Sequence, residues 1–280
     1  MKPLLPAGLP AAVPLPAGAA LPPEAGGQPP TNKRAVAYVE LALADRWAQG
    51  PSLPDQVAAA ALLQQHPGLS HAVRHACAAE EAAVRRALRG GRQVLHIGYG
   101  LGRRHYEPHQ WWRRSGTQQP RPVAVTTCAH AYNAALEHCT DPVELLYEPT
   151  ERLPLLLDNP YLRWAINLTR PVDAVLAGTH RAPRTQVAVL LDLLLGTLAP
   201  GSTLALTGLA AEDEAERQAL KADWAQYTGV RSAILHHRSP GGLISRLRRF
   251  DQQAALLPPH QYAQPGVYAI GAVYRIGGPT

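Results

Sequence analysis

Val94-Leu95-His96-Ile97-Gly98-Tyr99-Gly100-Leu101-Gly102 carries more information about the fold than any other stretch of the chain. A short apolar run reads as a strand buried on both faces, and it breaks into glycines at alternate positions. Glycines after a strand let the backbone come close to a ligand, and the N-terminus of a following helix favours negative charge. The spacing is GxGxG, not the GxGxxG of dinucleotide enzymes. It points to a nucleoside-type ligand, with a plain strand–helix turn as the alternative.

On the N-terminal side, residues 33–89 are rich in Ala and Leu and read as helices. Asn32 can cap the first. Gly50-Pro51 breaks the pattern, and Asp55 can cap a second. Pro67-Gly68 breaks it again. Val73, Cys77, Val84 and Leu88 then follow helical spacing over His71–Leu88, until Gly90-Gly91 stops the helix. On the C-terminal side, strands are expected at Val123–Thr127, Val143–Tyr147, Val172–Ala177 and Ser202–Thr207. Helices are expected at about Ala129–His138, Val187–Leu198, Glu212–Tyr227 and Gly241–Phe250, with a terminal strand over Gly266–Ile276. Alternating strands and helices imply a mostly parallel sheet covered on both faces. The chain divides into a Pro/Ala-rich arm (1–30), a helical cap (31–90) and a Rossmann-like domain (91–280).

Composition sets the limits. The chain has 280 residues, 46% of them hydrophobic and 17% charged, enough apolar material for a real core. Residues 1–30 are the exception: they hold nine Pro and only two charged side chains, Lys2 and Glu24. Such a segment cannot offset its ordering entropy with a core of its own. It reads as an extended solvated tail, or alternatively as an arm that packs on a partner subunit, in which case the chain would form a homodimer. No run approaches the ~20 apolar residues of a membrane helix, so no membrane partner is expected. The N-terminus lacks the features of a secretory signal. Cys77, Cys128 and Cys139 are odd in number and without CxxC spacing, which argues against disulfides and zinc and for a reducing cytoplasm. No metal is expected. No GxSxG elbow is present, so hydrolase chemistry has no support.

The whole stretch from about Thr31 to Ile276 resembles a bacterial family, abundant in actinomycetes, of S-adenosylmethionine (SAM) methyltransferases of largely unknown substrate. The resemblance rests on several stretches in order. They are Asn32-Lys33-Arg34, Arg92-Gln93-Val94-Leu95-His96-Ile97-Gly98-Tyr99-Gly100-Leu101, Leu157-Asp158-Asn159-Pro160, Leu168-Thr169-Arg170-Pro171-Val172 leading to His180, and Leu198-Ala199-Pro200-Gly201-Ser202. It implies a class I SAM-methyltransferase Rossmann fold with an antiparallel final strand and an N-terminal helical cap. It also implies SAM as cofactor, S-adenosylhomocysteine (SAH) as product and a small-molecule acceptor. By the same resemblance, Gly98, Tyr99, Gly100, Leu101, Gly102, Thr126, Thr127, Glu148 and Thr179 would hold the cofactor.

The departures are as informative. Ala44-Asp45-Arg46-Trp47-Ala48-Gln49-Gly50 replaces the family's Gly-Gly-Lys-Asp-Asn-Phe-like loop, and His96 stands where the first strand usually carries Asp. Thr126-Thr127-Cys128 replaces the acidic end of the second strand that holds the ribose hydroxyls. A threonine hydroxyl lacks the charge-assisted, two-acceptor geometry of a carboxylate. Glu148 stands for an Asp near the adenine. The candidate catalytic groups are His180, after the fourth strand, and His109; a neutral histidine there could take a proton from a hydroxyl or amine. Two basic stretches leave an RNA-directed enzyme as an alternative. One contains Arg103, Arg104, Arg113, Arg114 and Arg121 with Trp111 and Trp112. The other contains Arg231, His236, His237, Arg238, Arg246, Arg248 and Arg249. A further alternative is a relative that binds the nucleoside without transferring a methyl group.

Overall fold

The apolar runs assemble into one sheet. A computed structural model of the chain describes Val39 and residues 53–98, 122–129, 132–133, 144–211, 213–236, 255–256 and 267–277. The strands are β1 (Gln93–Ile97), β2 (Val123–Thr126), β3 (Glu144–Tyr147), β4 (Val172–Leu176), β5 (Thr203–Ala211), β6 (Leu235–His236), β7 (Ala255–Leu256) and β8 (Val267–Arg275). Their order is β3-β2-β1-β4-β5-β8-β7, with β6 paired to β5. β1 to β6 pair in parallel; β8 runs antiparallel to both β5 and β7.

Register sorts the side chains into two faces. Leu95 and Ile97 lie level with Val123 and Val125 on one side and with Ala174 and Leu176 on the other. All six join Leu204 and Leu206 in one buried cluster. That face is covered by a 3-10 segment, Thr150–Asp158, and by α4 (Arg184–Thr197), whose Leu190, Leu191 and Leu194 are buried. A short helix, α3 (Pro160–Ala165), adds Leu162.

On the opposite face Val94, Ala124, Val175 and Ala205 meet Val84, Ala87 and Leu88 of α2 (Leu69–Arg89). α2 buries Leu69, Ala72, Val73, Ala76, Cys77, Glu80, Val84, Ala87 and Leu88, a stripe at helical spacing with one acid in it. Beside it, Leu62 of α1 (Leu53–Gln65) packs with Leu220 and Trp224 of α5 (Glu214–Thr228). Trp224 is fully buried, and truncating such a residue to alanine costs about 3–5 kcal/mol. Residues Asn32–Thr280 form one compact unit. α1 and α2 therefore belong to the same body as the sheet, and α2 is one of its covering layers.

Several expected elements differ in extent. β5 runs on to Ala211 because β8 pairs with it along its full length. The segment Thr150–Asp158 and α3 were not expected: Pro154 interrupts the first and six residues make the second. The expected helix at Ala129–His138 is described only at Ala129, Tyr132 and Asn133, all helical. The arm 1–30 and the expected helix at Gly241–Phe250 lie outside the described residues.

Candidate functional site

The strand order reverses direction between β1 and β4. β2 and β3 lie to one side of β1, and β4 and β5 to the other. In open parallel sheets the loops diverge at this point and leave a crevice beyond the carboxyl ends of the strands. Gly98, the first residue after β1, sits there with φ +88°. Its N–H donates to the Val125 carbonyl at 2.9 Å, and the Ala177 N–H donates to the Ile97 carbonyl at 2.8 Å. A Cβ on Gly98 would stand 2.4 Å from the Ala177 carbonyl oxygen. Only glycine meets both demands, the left-handed backbone and the close approach. Tyr99, Gly100, Leu101 and Gly102 lie outside the described residues, as does His109.

At the end of β2, Thr126 is fully buried, and its Oγ1 accepts from the Cys128 N–H at 3.2 Å. Thr127 is half-buried. At the end of β3, Glu148 is buried and its N–H donates to the Thr126 carbonyl at 3.0 Å. Its carboxylate accepts from Asn159 Nδ2 at 3.0 Å and lies 3.3 Å from Arg152 Nε. Asn159 in turn caps α3, its Oδ1 accepting from the Tyr161 and Leu162 N–H groups. So Glu148 already orients the turn into α3.

After β4, Gly178 adopts φ +59°, and its N–H donates to Thr207 Oγ1 at 3.1 Å. Thr179 is buried above Gly208, where a Cβ would come within 2.1 Å of its Oγ1. His180 does not line an open mouth: it is fully buried and meets Trp224 edge-on, ring centroids 5.4 Å apart. Its carbonyl accepts from Ser232 Oγ. The ring has no solvent-exposed surface. Arg181 folds back toward β1, donating to the Gly98 carbonyl and approaching Glu80 of α2 at 3.3 Å. The other Glu80 oxygen accepts from His96 Nε2 at 2.9 Å.

The structure thus brings Gly98, Thr126, Thr127, Glu148 and Thr179 to one end of the sheet. It adds Gly178, Arg181 and Glu80, which the sequence reading missed. The available signal for Glu80 was an acid on an otherwise apolar helix stripe. Histidines at HxxxH spacing do occur, at His71/His75 and His105/His109. The first pair lies on α2 with its rings in edge contact at 5.4 Å. Among the described residues no group of three or more His, Cys, Asp or Glu side chains is placed to hold a metal.

No protein-family model and no curated protein matches this sequence. Solved structures do. A candidate methyltransferase from Thermobifida fusca superposes with a TM-score of 0.69 over 87% of this chain and 95% of its own, at 19% identity. A DUF574-family protein from Streptomyces avermitilis gives 0.64 over 86% and 97%, also at 19% identity. The chain has the class I SAM-methyltransferase fold, a mostly parallel sheet with an antiparallel final strand. Both of these proteins come from actinomycetes.

Proposed function

We propose that this chain is a SAM-dependent methyltransferase with a small-molecule acceptor. The observation that carries the reading is the left-handed glycine Gly98, packed against the Ala177 carbonyl at the strand-order reversal between β1 and β4 of this fold. SAM supplies a methyl group on a cationic sulfur, which a nucleophilic atom of the acceptor takes up, leaving SAH. The turn from Gly98 to Gly102 would accept the nucleoside against backbone. Half-buried Thr127 would offer its hydroxyl to the ribose, beside Thr126, whose Oγ1 already accepts from the Cys128 N–H. Glu148 and Thr179, at the same end of the sheet, would be the further cofactor contacts. His180 is buried against Trp224, so His109 would be the group that takes the acceptor's proton.

Calorimetric titration with SAM, SAH and NADPH tests the reading. The expected result is binding of SAM and SAH and none of NADPH; NADPH binding without SAM binding would overturn it. One observation favours a second reading, nucleoside binding without turnover. β2 ends in a threonine whose hydroxyl already accepts from Cys128, not in a free carboxylate. SAM binding without methyl transfer to any acceptor panel would select it. Salt-sensitive RNA binding would move the acceptor class to nucleic acid.

A further inference from the structure

Glu80, His96 and Arg181 bury a carboxylate, an imidazole and a guanidinium together. Their side chains are 2%, 0% and 13% exposed. Buried ionic clusters are on average no more stabilising than apolar residues of the same volume, so stability alone does not account for this one. Its parts come from α2, β1 and the turn after β4, and they form a chain from His96 through Glu80 and Arg181 to the Gly98 carbonyl. Arg181 runs through the space that Gly178 leaves free, where a Cβ would stand 2.4 Å from its Nε. One terminal nitrogen donates to the Gly98 carbonyl; the other faces Glu80. Glu80 is held in turn by His96.

We propose that Glu80, His96 and Arg181 are positioning residues for the nucleoside site. Through Arg181 they clamp the Gly98 carbonyl, the point at which the chain leaves β1. The inference rests on the reading that a nucleoside binds at this turn.

The chain supplies its own control. At the opposite, amino ends of the same strands, Arg92 Nε lies 3.1 Å from Asp173, and Thr203 Oγ1 donates to Asp173 at 2.7 Å. Arg92 also donates to the Gly201 carbonyl at 2.6 Å. This cluster ties the same sheet together far from the glycine turn.

The experiment compares Glu80→Gln, Arg181→Lys and Asp173→Asn with the natural chain. Arg181→Lys keeps the charge and loses the planar fork, so it tests geometry. Three quantities are measured: thermal midpoint, amide hydrogen exchange in peptides covering 94–98 and 176–181, and the SAM and SAH dissociation constants. All variants should lower the midpoint. Only Glu80→Gln and Arg181→Lys should speed exchange at Gly98 and Ala177. Both should weaken SAM and SAH about tenfold, the scale of losing a supporting partner behind a binding group. If Glu80→Gln does not fold, Arg181→Lys carries the test, since Arg181 is the least buried of the three. Wild-type dissociation constants in both variants, or the same effect from Asp173→Asn, would overturn the inference. If the natural chain binds no SAM, the proposed function falls. The exchange pattern then decides the clamp alone: local loosening supports it and uniform loosening removes it.

Discussion

Gly98 shows how much one residue can determine. Its φ of +88° and the 2.4 Å gap to the Ala177 carbonyl act together, so relieving one leaves the other. Gly98→Ala should destabilise the fold by about 1–3 kcal/mol, the range for a strained backbone position. Urea denaturation would read this as a lower midpoint at unchanged slope. The same variant should weaken SAM binding, because β1 and β4 must part to admit the methyl group. The β2 end makes the converse point. Hydrogen bonds to a charged acceptor contribute ~1.5–3 kcal/mol, against ~0.5–1.5 for neutral ones. Half-buried Thr127 can take a carboxylate, so Thr127→Asp should tighten SAM by roughly fivefold, about 1 kcal/mol. Thr126→Asp would put a charge in a fully buried place and should lower stability instead. Calorimetry with a melting curve for each variant checks both. If both fold and neither tightens SAM, the ribose is held elsewhere or SAM is not the ligand.

Elements differ in how far the chain announces them. β1, β2 and β4 are legible because strands buried on both faces are continuous apolar runs. α2 is legible from its stripe, and its Gly90 end from chemistry. The segment Thr150–Asp158 is not, because Pro154 and a 3-10 path leave no period to count. The Glu80–Arg181 contact is not either, because its partners lie 101 residues apart. His180 pointed to the site by its place after β4, but Trp224 of α5 holds it inside. α5 depends on another histidine. His66, just after α1 and buried, has Nδ1 2.9 Å from Glu216 and Nε2 2.9 Å from Asp223. Two bonds to charged groups, discounted for the partly exposed carboxylates, amount to about 2 kcal/mol. His66→Gln should therefore lower the thermal midpoint by roughly 4–8 °C. A scanning calorimetry trace unchanged within a degree would mean that α1 and α5 are held by Leu62, Leu220 and Trp224 alone.

For the whole molecule, the parallel half of the sheet and its crevice follow from the order of apolar runs, as does the glycine turn. The choice of the β1/β4 edge as the site needed the actual strand order, because a crossover cannot be read from a strand's own residues. The arm 1–30 belongs to this scale as well. A Pro-rich, nearly uncharged segment without a core is expected to contribute to self-association. Deleting residues 2–30 should lower the mass measured by light scattering; a monomer before and after deletion would remove the idea.

The nine-residue ladder between β5 and β8 has a further consequence, in the order of events during synthesis. Strands β1 to β5 can pair as they leave the ribosome, but the place beside β5 must wait for Val267–Arg275, whose last residue, the partner of Thr203, lies 72 positions further along the chain. Until then the apolar edge of Thr203–Ala211 stands open, a template for any other extended chain. The nascent protein thus passes through a period in which a nine-residue strand is complete but paired along one edge alone. Its yield in a cell would depend on how fast translation finishes, or on a chaperone that covers that edge meanwhile.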